Sequence, residues 1–358
     1  MAASDLVRTA LRSRAVQGAL AFGAGATGLV AADLTVLAGG IVRAAAAFPP
    51  PIDDGPDPAL DNPAHLTRSS VVATDDGTLL HVESSLNIDD HPGDDVLVLI
   101  HGWTCSTRFW NPQFNRFAAD RPMIAYDQRG HGLSEMGRTK VTPATLGQDL
   151  QRVLSETVPE GKRAILVGHS MGGMSIMSWA QQFGGRMAER VSQVVLVSTT
   201  PRKVVQEQLL TPTSLAGVAD PVKPIMGRIF LGTPVPLPSN KFSSRMTHYL
   251  ALAPKARAAH VDFCDEMIAR CSPRSRAAWG SAMYGMNLVG GLEALSVPTT
   301  VLVGTDDLLT PPLHSDFMAG VLDRNGVLRD YITYPDTGHM LPIERHEDLN
   351  AVIAGVLA

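Results

Sequence analysis

Ser170 lies in Gly168-His169-Ser170-Met171-Gly172-Gly173, directly after the apolar run Ala164-Ile165-Leu166-Val167. A serine with glycines two residues to either side, between a strand and a helix-compatible stretch, has the pattern of a nucleophile elbow. The small neighbours let strand and helix approach closely, so the hydroxyl stands exposed at a sharp turn. Met171 to Phe183 follows without proline, as a helix there requires. The chemistry this pattern serves is nucleophilic attack by Ser170.

A serine hydroxyl is a poor nucleophile until a base removes its proton, so a histidine and an orienting acid must follow. On this strand-turn-helix arrangement the order is serine, acid, histidine, with both partners on loops after later strands. Pro298 to Val303 reads as a strand and opens into Gly304-Thr305-Asp306-Asp307-Leu308-Leu309-Thr310-Pro311. Arg329 to Tyr334 reads as the next strand and opens into Pro335-Asp336-Thr337-Gly338-His339. Of eleven histidines, His339 is the one on a loop after a strand downstream of a similarly placed acid. It is the expected base.

An oxyanion developing on the attacked carbonyl needs two N–H donors aimed at it. Met171, the residue after the nucleophile, is expected to supply one. Val96-Leu97-Val98-Leu99-Ile100 is a continuous apolar run, as in a strand buried on both faces, and it ends in His101-Gly102-Trp103. The Trp103 N–H is the natural second donor.

With these segments in place, the chain resembles the α/β-hydrolase superfamily over about residues 66–357. The resemblance rests on His101-Gly102-Trp103, Asp127-Gln128-Arg129-Gly130-His131-Gly132, the Ser170 hexapeptide, Gly304-Thr305-Asp306-Asp307 and Gly338-His339. It implies a mostly parallel eight-stranded sheet with helices on both sides, a helical cap insertion, and a Ser170–His339–Asp307 triad. In that family the acid is the fourth residue of the Gly-x-x-Asp turn, hence Asp307 and not Asp306. Arg129 and His131 are implied to be scaffold. Serine at 170 sets the chain apart from the epoxide hydrolases and haloalkane dehalogenases, which carry aspartate there.

The elements that must position these groups alternate as strand and helix, which argues for a parallel sheet. Ser70–Thr74 and Thr78–Glu83 flank Asp75-Asp76-Gly77 as a hairpin. The run from about 201 to 295 breaks the rhythm and is the expected cap. Its methionines and aromatics, Met226, Met246, Met267, Phe242, Phe263 and Trp279 among them, are mostly the core of a small helical unit, with a few lining an apolar acyl pocket.

Residues 1–48 form an apolar N-terminal segment and 49–65 a Pro-rich linker, outside the catalytic domain at 66–358. Ala15 to Ala32 carries no charge, Asp33 interrupts, and Leu34 to Val42 resumes the apolar character. Three readings fit: a membrane anchor through residues 15–42, a signal peptide for export, or helices packed on a cytoplasmic domain. The favoured expectation is membrane association or export. Cys105, Cys264 and Cys271 read as buried thiols, and a Cys264–Cys271 pair stays open for an exported chain.

Charged residues make up 18% of 358 and the net charge is −5, which gives no nucleic-acid surface. No phosphate loop, dinucleotide fingerprint or paired-cysteine metal spacing occurs, so no cofactor and no metal are expected. The expected function is hydrolysis of a small-molecule carboxylic ester through an acyl-enzyme, as in carboxylesterases and monoacylglycerol lipases. The alternatives are a cofactor-free perhydrolase or haloperoxidase, a carbon–carbon bond hydrolase on the same triad, or a non-catalytic small-ligand receptor.

Overall fold

The computed structural model describes residues 28–86, 95–204, 207–209, 232–234 and 236–358. Strands β1 (Thr67–Ala73), β2 (Leu79–Ser85), β3 (Val96–Ile100), β4 (Met123–Tyr126), β5 (Ala164–His169), β6 (Val191–Val197), β7 (Thr299–Gly304) and β8 (Leu328–Tyr334) form one sheet. Its order is β1-β2-β4-β3-β5-β6-β7-β8. β1 and β2 pair antiparallel, as do β2 and β4, and every other pairing is parallel.

The apolar runs form the middle of the sheet because both faces are covered. Val96, Val98 and Ile100 enter one core cluster while Leu97 and Leu99 enter the other. β5 and β6 repeat the alternation, with Leu166 and Leu196 on the first face and Val167 and Val197 on the second. This is the two-residue period of a strand read by two hydrophobic layers at once.

Helix α1 spans Gly28–Ala47, α2 Asn111–Phe117, α3 Pro143–Thr157, α4 Met171–Phe183 and α5 Met187–Arg190. Between β6 and β7 lie α6 (Lys241–Ala251), α7 (Ala258–Arg270), α8 (Pro273–Met283) and α9 (Val289–Glu293). α10 (Pro312–Arg324), α11 (Leu341–Glu344) and α12 (His346–Leu357) complete the chain. Asn240 caps α6, its side-chain oxygen accepting the Phe242 and Ser243 N–H groups.

The segment before the sheet lies on this helical insertion. α1 runs through Asp33 without a break and packs against α6. The Arg245 guanidinium donates to the carbonyls of Ala45 (2.9 Å), Ala46 (3.3 Å), Phe48 and Pro49 (3.1 Å), satisfying groups that the end of a helix leaves unpaired. Phe48 then meets the rings of His248 and Tyr249 edge-on. Further on, Ile52 exchanges backbone hydrogen bonds with Ala256 and Ala258. Among the described residues no helix is long and apolar enough to cross a membrane. The expected apolar segment up to residue 27 lies outside the described residues, as does the stretch 210–231, Met226 included.

Candidate active site

β3 has β4 on one side and β5 on the other, so the chain leaves it in opposite directions along the sheet. The crevice at the carboxyl ends of strands beside such a switch point is where open α/β sheets bind ligands. Ser170, the His101-Gly102-Trp103 loop, Asp307 and His339 all follow the carboxyl ends of strands around it.

Ser170 has φ +52° and ψ −116°, a left-handed conformation that a side-chain-bearing residue adopts at a cost of ~1–3 kcal/mol. Its surroundings hold it there. The Ser170 N–H donates to the Val197 carbonyl at 3.0 Å, and the Thr199 hydroxyl donates to the Ser170 carbonyl at 2.6 Å. Gly172 permits the crossing, since a Cβ there would lie 2.0 Å from the Ile100 carbonyl oxygen. The hydroxyl stands at the N-terminus of α4, the positive end of that helix.

The loop after β3 runs beside it. A Cβ on Gly102 would lie 3.1 Å from the Ser170 Cβ. His101 Nε2 accepts the Gln128 N–H at 3.0 Å, so its proton sits on Nδ1 and is donated to the Gly102 carbonyl at 2.7 Å. A trans peptide points its N–H opposite to its carbonyl. Pinning the Gly102 carbonyl to the imidazole thereby fixes the direction of the Trp103 N–H. Among the described residues, neither the Trp103 N–H nor the Met171 N–H is hydrogen-bonded. The Trp103 indole N–H donates to the Arg276 carbonyl on α8 at 3.0 Å, tying this loop to the helical insertion.

His339 Nδ1 lies 2.9 Å from Asp307 Oδ2 and 3.1 Å from Oδ1. A carboxylate only accepts, so Nδ1 carries the proton and Nε2 keeps its lone pair. Asp307 is itself held by the Leu309 N–H (2.9 Å), the Thr310 N–H (2.8 Å) and the Thr310 hydroxyl (2.7 Å). Burial pushes its carboxyl up, but the imidazole and these donors outweigh burial and hold it below the ordinary carboxylate range. Asp306 is half-buried and points elsewhere; burial and the neighbouring Asp336 raise its carboxyl. No hydrogen bond joins the Ser170 hydroxyl to His339 among the described residues, and such contacts commonly tighten only when substrate binds.

Two groups at this site escaped the sequence reading. His169 Nε2 donates to the His339 carbonyl at 2.8 Å, and its ring lies between those of Phe109 (4.6 Å) and His339 (4.9 Å). Burial, then the repulsion a protonated His169 would meet from a protonated His339 ring, drives its pKa well below the ordinary value, so it is neutral. Glu344 accepts the Gly338 N–H at 3.1 Å and the Ala253 N–H at 2.8 Å, bracing the histidine loop against the end of α6. Their types gave no signal, because each acts through a backbone group distant in sequence.

Arg129 and His131 lie in the scaffold. Arg129 Nη2 and Nε grip Asp149 at 2.7 and 2.9 Å, and Nη1 meets Asp76 at 2.7 Å, joining the β1–β2 turn to α3. His131 is buried, and burial with the nearby His101 holds its pKa down at about 3. Cys105, Cys264 and Cys271 are free and buried, and burial raises all three thiols.

A family model described as the alpha/beta hydrolase family matches residues 97–352. The chain belongs to the α/β hydrolase family. Among relatives of this hydrolase, a Yersinia enterocolitica protein named provisionally as the carbamate hydrolase RutD is 28% identical over 272 residues. That match spans 74% of this chain and 88% of the relative. A non-heme chloroperoxidase of Burkholderia pyrrocinia is 25% identical over 267 residues, covering 71% of this chain and 88% of the relative. A thermophilic esterase from Thermogutta terrifontis superposes with a TM-score of 0.61 at 21% identity, over 81% of this chain and 98% of the esterase, and so shares the fold.

Proposed function

We propose that this hydrolase is a serine esterase cleaving small carboxylic esters through an acyl-enzyme. The observation that carries the reading is Ser170 held at positive φ on the N-terminus of α4, beside a loop whose Trp103 N–H is aimed by His101. His339 Nε2 takes the Ser170 proton as the hydroxyl attacks the acyl carbon. Asp307 keeps the imidazole in the required tautomer and stabilises its charge. The N–H groups of Trp103 and Met171 receive the oxyanion, and His339 returns the proton to the leaving alcohol. Water then attacks the acyl-enzyme by the same route and releases the acid.

The helices between β6 and β7 serve as the cap in this reading, and an apolar acyl chain is the group they cover. Each added methylene buried there is worth about 0.8 kcal/mol, so kcat/KM rises several-fold per carbon over the first added carbons. A panel of aryl esters from two to eight acyl carbons tests both points. No turnover of any member, with no labelling by a fluorophosphonate, ends the esterase proposal.

The chloroperoxidase relative supports a second reading, in which hydrogen peroxide replaces water at deacylation and the product is a peracid. Peroxide-dependent halogenation of a β-diketone in acetate buffer, against ester turnover in the same preparation, separates the two.

A further inference from the structure

A cluster remote in role from Ser170 joins three segments of chain. Asp57 comes from the strap between α1 and the sheet, His260 from α7, and His346 from the start of α12. Asp57 Oδ2 lies 2.9 Å from His260 Nε2 and 3.2 Å from His346 Nε2, and the three donor atoms all lie within 4.8 Å of one another. Two imidazoles and a carboxylate are a ligand set for zinc. A tetrahedral ion with bonds of 2.0–2.1 Å holds its donor atoms about 3.3 Å apart, close to the two shorter separations here.

The surroundings are suited to a cation. Asp57 and His260 are buried, while His346 is half-buried at a cleft of about 320 Å³ that leaves a fourth position open to water. That cleft is lined by the carboxylates of Asp54, Glu347 and Asp348 against two cations, Arg257 and Arg345, with Glu344, whose carboxyl burial pushes up to about 8, also in its wall. Arg257 also donates to Asp57, but its Nε already holds both oxygens of Asp54 at 2.8–2.9 Å. It therefore keeps a carboxylate partner when Asp57 turns to a metal.

We propose that Asp57, His260 and His346 form a divalent-cation site of the zinc type, which cross-links the N-terminal strap to α7 and the carboxyl-terminal helix. The site takes no part in the hydrolytic reaction and stands whether or not the esterase reading does.

The test uses the full chain, stripped with chelator and titrated with zinc in a calorimeter and with cobalt(II) in a spectrophotometer. One equivalent of zinc binds, cobalt gives the visible bands of a four-coordinate centre, and saturating zinc raises Tm by several degrees. Asp57→Asn and His346→Gln each weaken zinc at least tenfold, while His339→Gln leaves the affinity unchanged. Binding that survives both substitutions, or that disappears with His339→Gln, places the metal elsewhere and overturns the proposal, as does failure of the wild-type chain to bind. If Asp57→Asn does not fold, His346→Gln at the cleft edge and the wild-type cobalt spectrum decide the matter.

Discussion

His169 donates from Nε2 to the backbone carbonyl of His339 at 2.8 Å, so the residue before the candidate nucleophile holds the loop of the candidate base. The contact couples the ends of β5 and β8, which are not neighbours in the sheet. Replacing His169 with phenylalanine keeps the ring stack on Phe109 but removes the donor. The expected cost is about one hydrogen bond, or roughly tenfold in kcat with little change in KM. His169→Gln, which keeps an N–H, loses less. Equal kcat in the wild type and both variants would show that the contact does not position His339.

Ser170→Ala is expected to lower kcat on aryl esters by on the order of 10⁶-fold and to abolish fluorophosphonate labelling, with the fold retained. Stoichiometric labelling of the alanine variant would assign the nucleophile to another residue.

Asp307→Asn is expected to lower kcat by about 10⁴-fold, because an amide stabilises the wrong imidazole tautomer. Asp306→Asn leaves the Nδ1 contact intact and costs far less. Steady-state kinetics of the two single variants under one set of conditions decides between the adjacent acids, and a crippled Asp306 variant reverses the assignment.

His81 gives stability a pH dependence. A hydrogen bond to Asp127 (2.9 Å) and an ion pair with Glu83 (3.1 Å) outweigh burial and raise its pKa from 6.5 to about 9. The folded chain therefore holds this proton in a range where the unfolded chain has lost it. The contribution is fully present below pH 6.5 and disappears as pH rises through about 9, on the order of 3 kcal/mol in all. Urea unfolding of wild type and His81→Asn at pH 6 and pH 10 checks it. The variant is expected to lie further below the wild type at pH 6, and a gap that widens at pH 10 refutes the sign.

Arg245→Ala strips the guanidinium from four carbonyls at the end of α1 and just after it. A loss of about 1–2 kcal/mol is expected, seen as a lower Tm and faster proteolysis near Phe48. Unchanged melting and unchanged protection would mean that α1 contributes nothing to the fold.

Much of the sheet and the candidate site was legible in the sequence because their signals are local. Val96 to Ile100 reads as a doubly buried strand from its own five residues, and the resemblance of Gly304-Thr305-Asp306-Asp307 to the family's acid turn implies Asp307 rather than Asp306. The N-terminal segment was not legible in this way. Its Ala- and Gly-rich run shows no amphipathic stripe, and what fastens it, Arg245, His248 and Tyr249, lies about 200 residues later among unremarkable surface types. Residues 49–65 read as a free linker for the same reason: Asp57 looks like one more polar residue beside prolines until His260 and His346 arrive from elsewhere. His169 and Glu344 were missed because a side chain bound to a distant carbonyl or N–H leaves no periodic trace.

The fastening of the strap also sets an order of events during synthesis. Phe48 leaves the ribosome early, whereas Arg245, His260 and His346, which receive the segment, are made 197 residues later at the soonest. At ~5–20 residues per second, roughly 10–40 s pass before the Arg245 contact can form. Contacts of such long sequence separation also bear the largest loop-closure cost. For that interval the stretch from Ala45 to Ile52 lacks the partners on and after α6 that fasten it, and any factor that recognises nascent apolar chain meets it before they do.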